Sequence, residues 1–200
     1  MAKKSIFDVV AKHYDFFTKI LMMGTYGKVQ KRIVDSVDDR GGAALDICCG
    51  TGYVTGHIKS GNVVGMDLSE GMLGVNRDKN KGKENLLLVK SDAFTMPFRD
   101  GTFSAVYCTL APHEFLNFSP VLKEAYRVMR KGGSLRVYDI YDSPNILVKP
   151  FTTFMKYVVE MGKFYIHNED QWKRKLERLG FEDVQAEILY HASIFLKARK

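Results

Sequence analysis

The sequence predicts an α/β three-layer sandwich: a mostly parallel seven-stranded sheet, helices on both faces, and an antiparallel hairpin strand near its C-terminal end. Short apolar runs alternate with stretches of about ten to fifteen residues at helical period, the pattern of βαβ units that build parallel sheets. The last two strand-like runs are separated by only a few residues, which leaves room for a turn but not for a crossover, so they pair antiparallel.

Taken in order, Ile6, Val9, Val10, Phe17, Ile20 and Leu21 recur at three- and four-residue spacing, so residues 5–22 read as an amphipathic helix, with a second helix at 28–38. Gly41-Gly42 introduces a buried strand over 43–48, and further strands follow at 62–68, 86–90 and 103–110. Ser69 opens the helix after the second strand. Ser119 as N-cap and Pro120 at the first helical position open another, predicted to run to Gly132-Gly133, with a strand over 134–141 behind it. Pro144 and Pro150 flank a polar break, an apolar segment runs to Ile166, and Asn168 caps a helix that carries Trp172, Leu176 and Leu179 and stops at Gly180. Strands over 181–188 and 192–197 complete the pattern. No repeat or long linker divides it, so residues 1–200 read as a single domain.

The bulk numbers narrow the function classes. Hydrophobic content of 46% and charged content of 26% are those of an ordinary globular protein. The net charge of +7 favours anionic partners, yet most of the excess is scattered, and the densest cluster (Lys173, Arg174, Lys175, Arg178) reads as a solvated helix face. Three cysteines without C-x-x-C spacing argue against a disulfide framework or a metal site. The N-terminus lacks the apolar core of a signal peptide, and no run reaches the roughly 20 uncharged apolar residues that span a bilayer. These features suit the cytoplasm, with contact at a membrane surface open.

The segment Leu45-Asp46-Ile47-Cys48-Cys49-Gly50-Thr51-Gly52 joins a buried strand to a helix. In open α/β sheets such a turn lies at the carboxyl edge, where ligands bind. A dinucleotide fingerprint needs a glycine at the position of Thr55, and Gly56 comes one residue late; a P-loop is absent. A cofactor without a pyrophosphate is the third reading. Asp67, seventeen residues beyond Gly50 and at the end of the second strand, is placed to accept hydrogen bonds from both hydroxyls of a ribose. Asp92 closes the next strand. A glycine turn followed by two strand-end aspartates describes a nucleoside pocket.

On these residues the sequence resembles the class I S-adenosylmethionine (SAM)-dependent methyltransferases. Residues 45–52, 63–73, 91–107 and 122–139 look like that superfamily's four ordered motifs. Within it the sequence is most similar to the C-methyltransferases of ubiquinone and menaquinone biosynthesis, with support from Phe7-Asp8, Tyr14-Asp15, Asp92 to Phe98 and Tyr126 to Gly133. The resemblance implies a Rossmann-like fold, SAM as cofactor and S-adenosylhomocysteine as product. It implies that Asp46 orders the turn and that Cys48, Gly50, Thr51 and Gly52 lie along the amino-acid portion of SAM. By the same resemblance Asp67 takes the ribose, Leu68 and Met72 flank the adenine, Asp92 and Ala93 meet its polar edge, and Thr109 faces the methyl-bearing side. Residues 1–38 become a helical lid carrying Tyr14, and residues 143–167 a helical segment shaping the acceptor pocket.

Methyl transfer from a sulfonium needs alignment, and a base only when the acceptor must lose a proton. His113 and Glu114, after the fourth strand, are the candidate bases, with His113 put first. Cys48 and Cys49, as neighbours on a strand, should face opposite ways and not chelate one ion. Phe16, Phe17, Leu21, Met22 and Met23 on one side, and Phe151, Phe154, Met155, Tyr157, Phe164 and Tyr165 on the other, could roof an apolar pocket. The expected partner is therefore a small apolar or amphipathic acceptor, a quinone precursor or lipid-like metabolite. An RNA or protein methyltransferase is the first alternative, but Thr109-Leu110-Ala111-Pro112-His113 does not match the N-P-P-Y pattern of nucleobase methylation. A non-catalytic SAM-binding module is the second. Oligomeric state is not legible in the sequence.

Overall fold

The computed structural model of the chain describes residues 6–21, 26–36, 42–59, 61–141, 165–189 and 193–200. Strands β1 (Ala43–Ile47), β2 (Asn62–Asp67), β3 (Leu86–Lys90), β4 (Phe103–Thr109), β5 (Met129–Ile140), β6 (Glu182–Leu189) and β7 (Ser193–Arg199) form one sheet. Its order is β3-β2-β1-β4-β5-β7-β6. The first five strands are parallel, and β7 runs antiparallel to both β5 and β6. The order reverses direction between β1 and β4, so the carboxyl ends of these two strands flank a switch point.

The helices are α1 (Ile6–Leu21), α2 (Tyr26–Asp35), α3 (Tyr53–His57), α4 (Glu70–Lys79), α5 (Ser119–Val128) and α6 (Glu169–Arg178). Alternate residues of each strand face opposite layers. Leu45, Ile47, Val106, Leu135 and Val137 pack with Val121, Leu122 and Ala125 of α5 and with Trp172 and Leu176 of α6. Ala44, Ala105, Tyr107, Tyr138 and Phe195 pack with Val29 and Ile33 of α2 and Val54 of α3. Both faces of the central strands are covered, which is why β4 is apolar along nearly its whole length. Asn168 caps α6 in a reciprocal capping box with Gln171, each bond 2.9 Å.

Two boundaries differ from the sequence expectation, each for a visible reason. Ser119 is inside α5; the acceptor at its start is Asn117, whose Oδ1 takes the Ser119 N–H at 3.0 Å. The helix also stops at Val128, not at Gly132-Gly133, and β5 begins at Met129, paired with Phe103 before a register shift. Lys200 Nζ donates to the carbonyls of Tyr126 (2.6 Å) and Met129 (2.7 Å), doing at this helix end what a glycine cap does elsewhere. Among the described residues, no helix is long and apolar enough to cross a membrane.

Candidate functional site

The site begins where β1 stops. Cys48 adopts a left-handed backbone (φ 54°), uncommon for a side chain of its size, and turns the chain out of the sheet. Gly50 N–H then donates to Asp67 Oδ2 and Ser69 N–H to Asp67 Oδ1, both at 2.9 Å. One carboxylate at the end of β2 therefore ties the turn to the start of α4. These bonds use two of its roughly four acceptor positions and leave others for a ligand. Burial nevertheless holds the Asp67 pKa above the usual carboxylate range. Gly52 has φ 83°, and a Cβ there would lie 2.1 Å from Asn76 Oδ1, so conformation and space both require glycine.

A polar layer supports the turn from beneath. Thr55 Oγ1 donates to Asp46 Oδ2 at 2.6 Å, and Asn76 Nδ2 reaches Cys49 Sγ at 3.3 Å and Thr55 Oγ1 at 3.4 Å. Asp46 is fully buried and its Oδ1 has no hydrogen-bond partner among the described residues. Desolvation, only partly offset by Thr55, pushes its pKa up to about 7. Burial likewise raises the Cys49 thiol.

Above the turn lies a cavity of about 250 Å³. Of the residues singled out from the sequence, Tyr14, Cys48, Gly50, Thr51, Asp67, Leu68, Met72 and Thr109 line it. Asp46 and Gly52 lie beneath it, and Ala93 is buried outside its lining. Asp92 is exposed, does not line the cavity, and accepts the Phe94 N–H at 2.9 Å. Glu114, the second candidate base, and Phe7, part of the resemblance, line it as well, and Tyr53, Val54 and Phe115 add wall residues to which the sequence reading gave no role. A largely apolar chamber with Asp67 and Glu114 in its wall and a bare backbone turn suits a nucleoside with a small polar tail.

Helix α1 lies across this cavity, held by two acids, Asp8 and Asp15, that belong to the resemblance but were given no role from sequence. Asp8 Oδ1 accepts from Ser69 Oγ at 2.6 Å and Gly71 N at 3.0 Å, while Asp15 accepts from Thr51 Oγ1 and pairs with Lys79. A Cβ on Gly71 would come within 2.8 Å of Asp8 Cα, so that glycine sets the closeness of the helix. Asp8 and Asp15 are seven residues apart and share one helix face with Phe7 and Tyr14 close beside them; that spacing was the available signal.

On the opposite side of the switch point, His113 sits in a 3-10 turn (Pro112–Glu114) directly after β4. Its Nδ1 is 2.5 Å from Asp139 Oδ1 at the end of β5, and both side chains are buried. The Tyr165 N–H donates to the His113 carbonyl at 2.7 Å. His113 does not line the cavity, although Leu110, Ala111, Glu114 and Phe115 around it do. The two neighbouring cysteines are not on a strand as expected, because β1 has already ended; the Cys48 thiol instead meets that of Cys108, whose pKa this contact and burial raise. Among the described residues no cluster of metal-ligating side chains occurs. Of the expected apolar roof, Phe16 is exposed and Tyr165 half-buried; the side chains of Phe17, Leu21, Met22, Met23, Phe151, Phe154, Met155, Tyr157 and Phe164 lie outside the described residues, as does most of segment 143–167.

Comparison with protein families matches residues 2–183 to the ubiE/COQ5 methyltransferase family. The demethylmenaquinone methyltransferase of Staphylococcus saprophyticus is 29% identical over 206 aligned positions, covering 90% of this chain and 88% of that protein. That of Staphylococcus aureus is 29% identical over 84% of this chain and 73% of its own length. A SAM-dependent methyltransferase of Thermotoga maritima shares the fold at a TM-score of 0.78, with 19% identity and 98% of each chain covered. Phosphoethanolamine N-methyltransferase 2 of Haemonchus contortus, solved with S-adenosyl-L-methionine, superposes at 0.73 with 17% identity over 86% of this chain and 52% of its own. The chain therefore belongs to the ubiE/COQ5 methyltransferase family and is a SAM-dependent methyltransferase.

Proposed function

We propose that the cavity above the glycine turn holds SAM and that the enzyme methylates a small amphipathic acceptor of the demethylated-quinone class. The observation that carries the cofactor reading is Asp67, whose two oxygens bridge Gly50 and Ser69 while facing an apolar chamber. In this reading Asp67 takes the ribose hydroxyls, Leu68 and Met72 flank the adenine, and Cys48, Gly50 and Thr51 lie along the amino-acid portion. Thr109, at the carboxyl end of β4, stands at the methyl-bearing side. Tyr14 on α1 covers the chamber and excludes water. Asp46 and Gly52 shape the turn from below, and Asp92 and Ala93 border the adenine edge.

When bound, SAM supplies a methyl group activated by its sulfonium. A phenolic acceptor must also lose a proton. In this reading Asp139 accepts from Nδ1–H of His113, and Nε2 is the ring nitrogen that takes the proton. We assign proton removal to His113 and its orientation to Asp139. The demethylmenaquinone methyltransferase relatives support a ring acceptor of that type. Incubation of the purified chain with isotopically methyl-labelled SAM and a short-chain demethylmenaquinol should give a singly methylated ring. Turnover of SAM with other small phenols or amines but none with that ring would overturn the acceptor assignment and leave the cofactor site standing.

A further inference from the structure

Helix α6 has two unlike faces. On one, Glu169 and Lys173 pair at 2.6 Å. On the other, Arg174, Lys175 and Arg178 line a groove of about 310 Å³ together with His167 and Ser119. No carboxylate of the described residues lines it. Some cations elsewhere on the surface are answered: Arg127 lies between Glu124 and Asp100, both at 2.7 Å, and Arg32 meets Glu187 at 2.5 Å. In a second, lysine-rich groove Lys83 Nζ is spent on the carbonyls of Gly56 (3.0 Å) and Ile58 (2.6 Å) and Lys79 on Asp15, while Lys81 makes no ion pair among the described residues. Arg174 and Arg178 are exposed and make no ion pair among the described residues, as is true of Arg77, Arg99 and Arg130 too; what sets them apart is that both line one groove with Lys175.

Two further features favour negative charge here. The Lys175 ammonium donates to His167 Nε2 at 2.8 Å, so its partner is a neutral ring that cancels none of its charge. Ser119 starts α5 with its N–H held by Asn117 Oδ1 at 3.0 Å, and a helix N-terminus carries partial positive charge. Because α5 follows β4, and His167 bridges to Tyr141 just past β5, the groove opens on the same sheet edge as the His113–Asp139 pair.

We propose that this groove is a binding site for a phosphoryl group, carried by a lipid headgroup or by a soluble phosphate. Arginine forks match phosphate oxygens in pairs, and the lysine and the hydroxyl supply donors from other sides. The site stands apart from the SAM cavity and does not depend on the acceptor assignment.

The test uses the whole chain. Inorganic phosphate is titrated into isotope-labelled protein, and binding is measured to phosphatidylcholine vesicles with and without phosphatidylglycerol. Phosphate should shift the His167 and Ser119 resonances first. The double variant Arg174→Gln/Arg178→Gln should lose that response and bind anionic vesicles roughly thirtyfold more weakly, the equivalent of about 1 kcal/mol per arginine. The charge-matched control Lys59→Gln/Lys81→Gln should stay within about threefold of the parent. A phosphate response without vesicle binding assigns a soluble phosphate; vesicle binding lost only in the arginine variant assigns a lipid headgroup. No response at the groove to either probe, or equal losses in both double variants, overturns the site.

Discussion

Along the carboxyl edge of the sheet, the β1–β2 half holds its groups through the backbone and the β4–β5 half holds them through side chains. At β1–β2, Asp67 grips two peptide N–H groups, and Gly52 and Gly71 let chain segments approach to distances that no Cβ permits. At β4–β5 the comparable fixture is a buried imidazole against a buried carboxylate, His113 on Asp139, joining residues 26 positions apart. The two halves also treat a buried acid differently. Asp139 is met by His113, whereas one oxygen of Asp46 is left without a partner among the described residues. A backbone-built half accepts little change in residue type. A half built from side-chain pairs can exchange the pair and keep the fold, which suits a surface that meets the variable substrate.

This contrast can be broken most severely at Gly52. Gly52→Ala would combine a left-handed backbone with a contact on Asn76, and should cost about 3 kcal/mol or more in denaturant unfolding while abolishing SAM binding by calorimetry. A variant as stable as the parent would show that Asn76 swings aside and that the turn is looser than its geometry implies.

Asp46 is the next lever. Its ordinary pKa of 3.8 rises in the fold to about 7, so the folded state keeps a proton that the unfolded chain has released. The stability this contributes is complete below about pH 4 and is lost as pH rises through about 7. Asp46→Asn lacks that dependence. The variant should gain on the parent between about pH 4 and pH 7, by at most a few kcal/mol, and gain no more above it. Parallel stability curves for the two proteins would refute the burial of an unanswered acid.

Asp67→Asn keeps the shape but turns one acceptor oxygen into a donor. SAM affinity should fall about a hundredfold and the melting temperature by several degrees, because one of the two peptide N–H groups held by Asp67 loses its acceptor. On the other half, Asp139→Asn should lower kcat about tenfold to a hundredfold and leave SAM affinity untouched, since it disturbs only the tautomer and aim of His113. If cofactor affinity fell as far as kcat, the two halves would not be separate devices.

What could be read from the sequence follows the same division. Backbone geometry leaves marks at fixed spacing, so the glycine turn, Asp67 seventeen residues on, and the strand-end positions were legible, as was the hairpin of β6 and β7. Asp92 was read beside Asp67 as a strand-end acid, but β3 ends at Lys90 and Asp92 lies exposed in the turn beyond it, accepting the Phe94 N–H, an end point that local sequence does not mark. The pairing of His113 with Asp139 and the answering of the α5 end by Lys200 are contacts between distant positions, with no periodicity to announce them. Asp8 and Asp15 fall between these cases: their common helix face was visible, but not what it would meet.

One feature of the sheet bears on how the protein reaches this state. β7 follows β6 in the chain yet lies between β6 and β5, hydrogen-bonded to both. During synthesis β6 therefore emerges with no neighbour to pair with, and β5 waits with an open edge until β7 inserts. The parallel core can assemble early, while closure of the antiparallel end is a late, single event that fills both gaps at once. Substitutions in β7 that weaken pairing, such as a proline at Phe195, should accordingly populate an aggregation-prone intermediate with two exposed strand edges.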